Sequence, residues 1–172
     1  MPLTLKETNF ICFTVFVSYF IAAWVTIHLV MDISMEEFHQ YVGEVLMYCQ
    51  CIEENIKRIA SAMMQGDARL NRLRIEEEKM TLGQVISKMK EIDQGRKNAF
   101  FSQRDYDRLF EVTRTRNEYA HNVYIHFCYL NDPDEFENSF NACVKKVMKD
   151  KEWLFALYSA VEDARLNYEE HH

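Results

Sequence analysis

Glycine and proline are scarce in this chain, which has four and two of them in 172 residues. An all-β domain of this length needs many tight turns, and glycine and proline are the residues that favour them. Their shortage argues against a β-rich fold and predicts an all-helical protein with short connections. The length suits one domain with a hydrophobic core of its own.

Positive charge is also in short supply, because the formal net charge is −7. A protein that coats nucleic acid through its whole surface is therefore not expected, and any contact with RNA needs a local patch. The sequence has no glycine-rich phosphate loop, no nucleophile elbow and no His-Glu-x-x-His motif. These absences argue against the common nucleotide hydrolases, α/β-hydrolases and metalloproteases.

The five cysteines lack the spacing of a zinc site. They are Cys12, Cys49, Cys51, Cys128 and Cys143. An odd number without a paired framework predicts reduced thiols in the core of a cytoplasmic protein. We expect neither a metal nor a cofactor.

Residues 10–31 form a long apolar run that follows a tail at residues 1–9. A helix of this length can cross a bilayer, and it would anchor the protein to the inner membrane. The flanking charges do not set a topology, since Lys6 precedes the run with Glu7 beside it. Two alternatives stay open: a buried core or dimer helix, and a true start of the protein at Met31 or Met35.

Beyond this run, apolar residues recur every three or four positions and predict four principal helices. The first begins near Met35, and Gly66 is its stop. Residues 67–79 are crowded with charges and predict a flexible connection that contains at most a short turn of helix. Short connections predict antiparallel neighbours, hence an up-and-down four-helix bundle at residues 35–170.

Local signals mark where the later helices begin and end. Residues 81–84 and 102–105 each have the pattern of a capping box, and the second of these opens a helix that runs to about Phe127. Pro133 separates this helix from the last one, for which a bend is predicted at Lys149–Lys151.

The helix that begins after Ser102 carries the sequence Arg116-Asn117-Glu118-Tyr119-Ala120-His121. Its guanidinium, carboxamide and imidazole can hold a phosphate, orient it and move a proton. Asn117 and His121 are four residues apart and share a face of the helix. Arg116 and His121 are about 140° apart around the axis, but the arginine side chain can reach toward the imidazole. A structural role is predicted for His126.

Arg116 is predicted to lie on the apolar stripe of this helix. A buried guanidinium needs a partner, and two alternatives stay open. One is an ion pair with a carboxylate of the last helix, such as Glu162 or Asp163; the other is a ligand bound in a cleft or a subunit seam. Arg114 is predicted to form only a surface pair with Glu118.

Arg116-Asn117-x3-His121, late in a helix of a small antiparallel bundle, resembles the signature of the HEPN superfamily. This superfamily includes toxin, abortive-infection and CRISPR-associated ribonucleases. Residues 80–86 are similar to a segment that precedes the motif in some small bacterial members. The resemblance covers about residues 80–127, and the bundle extends it to roughly residues 35–168.

The resemblance implies a metal-independent endoribonuclease of a bacterial defence or toxin system. Arg116, Asn117 and His121 would be catalytic: His121 assists attack of a ribose 2′-hydroxyl on the adjacent phosphate, and Arg116 stabilises the phosphoryl oxygens. Such sites are commonly composite across a homodimer, and an antitoxin or other regulatory protein is an expected partner. One toxin branch has a modified tyrosine where this chain has Val123, so that modification is not implied.

Two other functions stay open. A noncatalytic HEPN module would bind nucleotide, RNA or another protein without turnover. A membrane-anchored helical interaction protein would use the motif only for its structure.

Overall fold

The structure, a computed structural model, describes residues 33–171. These residues form a helical bundle without strands, as predicted. The tail at residues 1–9 and the apolar helix predicted at residues 10–31 lie outside the described residues, and none of the described helices is long and apolar enough to span a membrane. The helices are α1 (Met35–Met63), α2 (Ala68–Glu77), α3 (Leu82–Gln94), α4 (Gln103–His121), α5 (Ile125–Cys128) and α6 (Pro133–His171).

Both predicted capping boxes are present and open α3 and α4. The backbone N–H of Gln84 donates to Thr81 Oγ1, and the Gln84 side chain accepts from the Thr81 N–H at 2.8 Å. Ser102 and Asp105 repeat this exchange. A further capping box at residues 34–37 opens α1. These local bonds set where three of the helices begin.

The connection predicted at residues 67–79 is more helical than expected: in place of a short turn, most of it forms α2. Asn71 is buried, and its Nδ2 donates to the carbonyl oxygen of Ser61 at 3.1 Å. Arg72 pairs with the carboxylate of Glu54 at 2.6 Å. Both contacts join α2 to α1, so charges that looked like a solvated connection in the sequence instead help to dock a short helix.

Asp93, at the end of α3, is a fully buried carboxylate. Its oxygens accept hydrogen bonds from the backbone N–H groups of Phe100 at 2.7 Å and Phe101 at 2.9 Å. The Tyr106 hydroxyl donates a third bond at 2.9 Å. These donors lie before and within the first turn of α4, so Asp93 holds the end of α3 against the start of α4.

Arg96 ties the same end of the bundle to α1 and α6. Its Nη2 donates to the carbonyl oxygen of Met63 at 3.3 Å and to the hydroxyl oxygen of Tyr168 at 2.9 Å. The helices α1, α3 and α6 therefore end on one side of the bundle, where α4 begins. It follows that α1, α3 and α6 are parallel to one another and that α4 is antiparallel to all three.

The parallel packing of α1 and α6 corrects the prediction of an antiparallel four-helix arrangement. The cause is α2, which reverses the chain once more between α1 and α3. Successive helices still alternate in direction, but the first and the last run the same way. Contacts between them advance in step along both helices: Phe38 with Phe140, Glu44 with Lys151, and Asn55 with Glu162.

At the opposite end of the bundle, α4 stops at His121, although the sequence predicts a helix to about Phe127. A turn at residues 122–124 and the one-turn helix α5 follow, and they bring Tyr124 and Phe127 edge-on against Phe38 of α1. This aromatic packing closes the bundle beside the end of α4. At Lys149–Lys151, where a bend is predicted, α6 continues without a break.

The cysteines are only partly in the core. Cys49 and Cys143 are buried as predicted, whereas Cys51 is half-buried and Cys128 is exposed. Cys128 lies in α5, which replaces the continuous helix expected there. Cys12 lies outside the described residues.

Replacing Asp93 with Ala is expected to lower the free energy of unfolding by about 3 kcal/mol, since three hydrogen-bond donors lose their shared acceptor. Urea denaturation followed by circular dichroism measures the change. Asp107→Ala is the matched control, because the Asp107 carboxylate accepts from Gln103 at the exposed surface, and we expect a change within about 0.5 kcal/mol. Equal losses in the two variants would contradict the role given to Asp93.

Candidate functional site

The three predicted site residues lie in the last two turns of α4. Arg116, Asn117 and His121 are all exposed, and His121 is the final residue of the helix. None of the three side chains forms a hydrogen bond or an ion pair with another described residue. All three groups are therefore available to a ligand or to a second protein chain.

Arg116 does not occupy the buried stripe of α4, which corrects the prediction. Thr115, only 7 % exposed, takes that position between Val112 and Tyr119. Arg116 instead lies at the margin of α4 that faces α1, near enough to Cys49 for its charge to act on the thiol. Burial raises the pKa of Cys49 to about 12, although the charge of Arg116 opposes the rise.

The ion pair that was one alternative for Arg116 does not form among the described residues. The carboxylate of Glu162 accepts from Asn55 Nδ2 at 2.7 Å and pairs with Arg165 at 2.6 Å. Asp163 is exposed on the same part of α6. Within residues 33–171, no carboxylate of α6 therefore pairs with the guanidinium of Arg116.

Glu118, between the site residues, is held by its neighbours. Its carboxylate is bonded to His126 Nε2 at 2.7 Å and to Asn122 Nδ2 at 3.3 Å. The bond to His126, with help from Asn122, holds the pKa of Glu118 below its usual value against the effect of burial. His126 therefore has the structural role predicted for it. The predicted pair of Arg114 with Glu118 is wrong, because Arg114 pairs with Glu111.

Tyr119 anchors this turn of α4 to α6. Its buried hydroxyl donates to Asp150 Oδ2 at 2.8 Å, and Asp150 also accepts from Lys146 Nζ at 2.8 Å and Trp153 Nε1 at 3.0 Å. Burial alone would raise the pKa of Asp150, but the bonds from Lys146, Tyr119 and Trp153 together hold it below its usual value. The sequence predicts packing for Tyr119 and gives no sign of this network.

The arrangement can engage a phosphate from the solvent side of α4. Asn117 and His121 lie one turn apart on the outer face, and Arg116 lies beside them on the α1 side. A ligand that crosses this face meets hydrogen-bond donors and one fixed positive charge. No group of three or more His, Cys, Asp or Glu side chains in residues 33–171 is arranged to hold a metal ion.

Comparison with protein-family models, with curated proteins and with solved structures finds no significant match to this chain. What the site does is therefore inferred from its residues and from the resemblance of the motif.

Asp150→Asn is expected to destabilise the protein more near pH 7 than near pH 3. The folded state lowers the pKa of Asp150 from 3.8, so its stabilising effect is complete above the unfolded pKa and is lost as the pH falls through the folded pKa. Free energies of unfolding in urea at the two pH values measure this. Asp163→Asn is the exposed control, for which little loss is expected at either pH. A difference between Asp150→Asn and the parent that is equal at both pH values would contradict the assignment.

Proposed function

We propose that this protein is a metal-independent endoribonuclease of the HEPN type, acting in a bacterial defence or toxin system. The observation that carries the proposal is the state of the motif. Arg116, Asn117 and His121 are exposed and have no partner among the described residues, whereas Glu118 and Tyr119 between them are held by structural partners. A guanidinium, a carboxamide and an imidazole left free on one short stretch of surface are the groups that phosphodiester cleavage uses.

In the proposed reaction Arg116 binds the non-bridging oxygens of the phosphate and offsets the charge that develops on them. His121 takes the proton from the ribose 2′-hydroxyl, whose oxygen then attacks the phosphorus. The bond to the 5′-oxygen breaks, and that oxygen leaves as a hydroxyl after it gains a proton. The products are a 2′,3′-cyclic phosphate and a 5′-hydroxyl, and Asn117 orients the phosphate by hydrogen bonding.

The proposed active form is a homodimer in which two copies of α4 face each other. The exposure of all three site residues supports this arrangement, since a partner helix can approach them without breaking an internal contact. Ala120, exposed one turn after Arg116, leaves space for such an approach. An antitoxin or other regulatory protein is a proposed partner of the same face. The proposed location is the cytoplasm, with residues 10–31 as a tether to the inner membrane.

The full chain is expected to cleave single-stranded RNA in the presence of EDTA, and Arg116→Ala and His121→Ala are each expected to slow cleavage at least about 100-fold. Gel electrophoresis of end-labelled RNA measures the rates. Arg114→Ala and His126→Ala are the matched controls, because they remove the same chemical groups where these are held by Glu111 and Glu118. Both controls are expected to stay within a few-fold of the parent.

Two results would overturn the catalytic proposal. One is the absence of cleavage by the full chain, and the other is unchanged cleavage by Arg116→Ala or His121→Ala. Binding of RNA without turnover, lost in Arg116→Ala, would support the noncatalytic module instead.

An RNA with a single 2′-deoxynucleotide on the 5′ side of the cleaved bond is expected to be bound but not cut at that bond, because the attacking oxygen is missing. Mass spectrometry of the fragments locates each cut and identifies the cyclic phosphate. Cleavage at the deoxy position would show that water, rather than the neighbouring 2′-hydroxyl, is the nucleophile.

A further inference from the structure

The part of α6 beside the motif concentrates positive charge. Residues 145–151 contain four lysines in a chain whose net charge is −7. Lys146 fixes the position of this segment, because its ammonium group lies 4.7 Å from the centre of the Tyr119 ring and pairs with Asp150. The segment therefore lies against the turn of α4 that carries Asn117 and His121.

Lys145 and Lys149 are the two lysines of this segment that are not held by an ion pair among the described residues. Both are exposed, and neither forms a hydrogen bond or an ion pair with another described residue. Asp150, next to Lys149 in the chain, and Glu118 of α4, on which the charge of Lys146 acts, are already held by the bonds described above. Glu152 follows in the next turn and is exposed, so it offsets one of the two lysine charges. Lys146 is paired with Asp150, so the second of the two free lysines leaves this stretch of α6 with an excess of positive charge.

The two sides of α4 carry different residues. Arg116 lies on the α1 side, where its charge acts on Cys49. Glu118 lies on the α6 side, where the charge of Lys146 acts on it. Asn117 and His121 occupy the outer face between these two margins. A strand that contacts Arg116 and His121 and then continues toward α6 would reach the turns of α6 that carry the lysines.

We propose that Lys145 and Lys149 bind backbone phosphates of single-stranded RNA next to the cleaved bond. This inference rests on the function proposed above for Arg116 and His121. The two lysines are four residues apart, hence about 6 Å apart along one face of the helix, and can contact neighbouring phosphates of an extended strand. Contacts to the backbone carry no sequence information, so this surface positions the RNA without selecting its bases.

The test measures binding by the full chain carrying His121→Ala, which leaves the RNA intact. Fluorescence anisotropy with a labelled single-stranded RNA gives the affinity over a range of salt concentrations. The double variant Lys145→Ala, Lys149→Ala is expected to bind more weakly and to reduce the slope of log affinity against log salt by about 1.4, the value for two phosphates of a single strand. Single-stranded DNA is expected to show the same loss, since the lysines contact phosphate and not the 2′-hydroxyl.

The matched control is Lys88→Ala, Lys97→Ala, which removes the same net charge at the α3 side of the bundle. We expect its slope to stay at the parent value. Three results would each overturn the proposal. The first is an equal salt slope for Lys145→Ala, Lys149→Ala and the parent, and the second is an equal loss of affinity in both double variants. The third is no measurable binding of RNA by the parent.

The same variants separate this inference from the catalytic one. If the salt slope falls as expected but the wild-type chain cuts no RNA, binding of RNA by the lysines is supported and the ribonuclease activity is contradicted. If the wild-type chain cuts RNA and the double variant Lys145→Ala, Lys149→Ala has an unchanged KM, the ribonuclease activity is supported and binding of RNA by the lysines is contradicted.

Discussion

The buried carboxylate of Asp93 is the constraint on which the rest of this bundle depends. A buried carboxylate needs hydrogen-bond donors, and Asp93 takes them from the loop before α4 and from Tyr106 within it. Together with Arg96, it brings the ends of α1, α3 and α6 to the start of α4. The direction of α4 follows from this junction, and so does the place of its carboxyl end, about 27 Å away at the helical rise.

A second set of contacts holds the far end of α4. Tyr119 is bonded to Asp150, which is itself held by Lys146 and Trp153. These bonds fix the turn from within, so its outward side chains can stay unpaired without loss of order. A rigid support beneath free polar groups is the arrangement that positioning of a substrate requires. The same contacts bring Lys146 of α6 against the Tyr119 ring.

Local signals in the sequence are sufficient where the physical cause is local. The capping boxes at Thr81 and Ser102 are each complete within four residues, and both were predicted correctly. The core positions of α1 follow the apolar period, because one long helix buries one continuous face. The sequence also named the motif residues Arg116, Asn117 and His121, but it placed Arg116 on the buried stripe.

The predictions that failed depended on contacts between distant residues. Arg116 was placed on the apolar stripe of α4 because it follows Val112 by four residues. The next buried residue after Val112 is instead Thr115, three residues on. The full length of α2 was missed because the groups that dock it, Glu54 and the carbonyl oxygen of Ser61, belong to α1. Missing α2 also gave the wrong relative direction for α1 and α6.

The sequence by itself determined the helical class of this protein, three helix starts and the residues of the candidate site, since composition, periodicity and capping act over one or two turns. Only the tertiary structure decided that α1 and α6 are parallel, that Arg116 is exposed toward α1, and that Lys146 of a distant helix lies against Tyr119. The reason is physical: the side on which a helical residue emerges depends on which helices pack against it, and that packing is set by buried polar contacts such as those of Asp93 and Asp150.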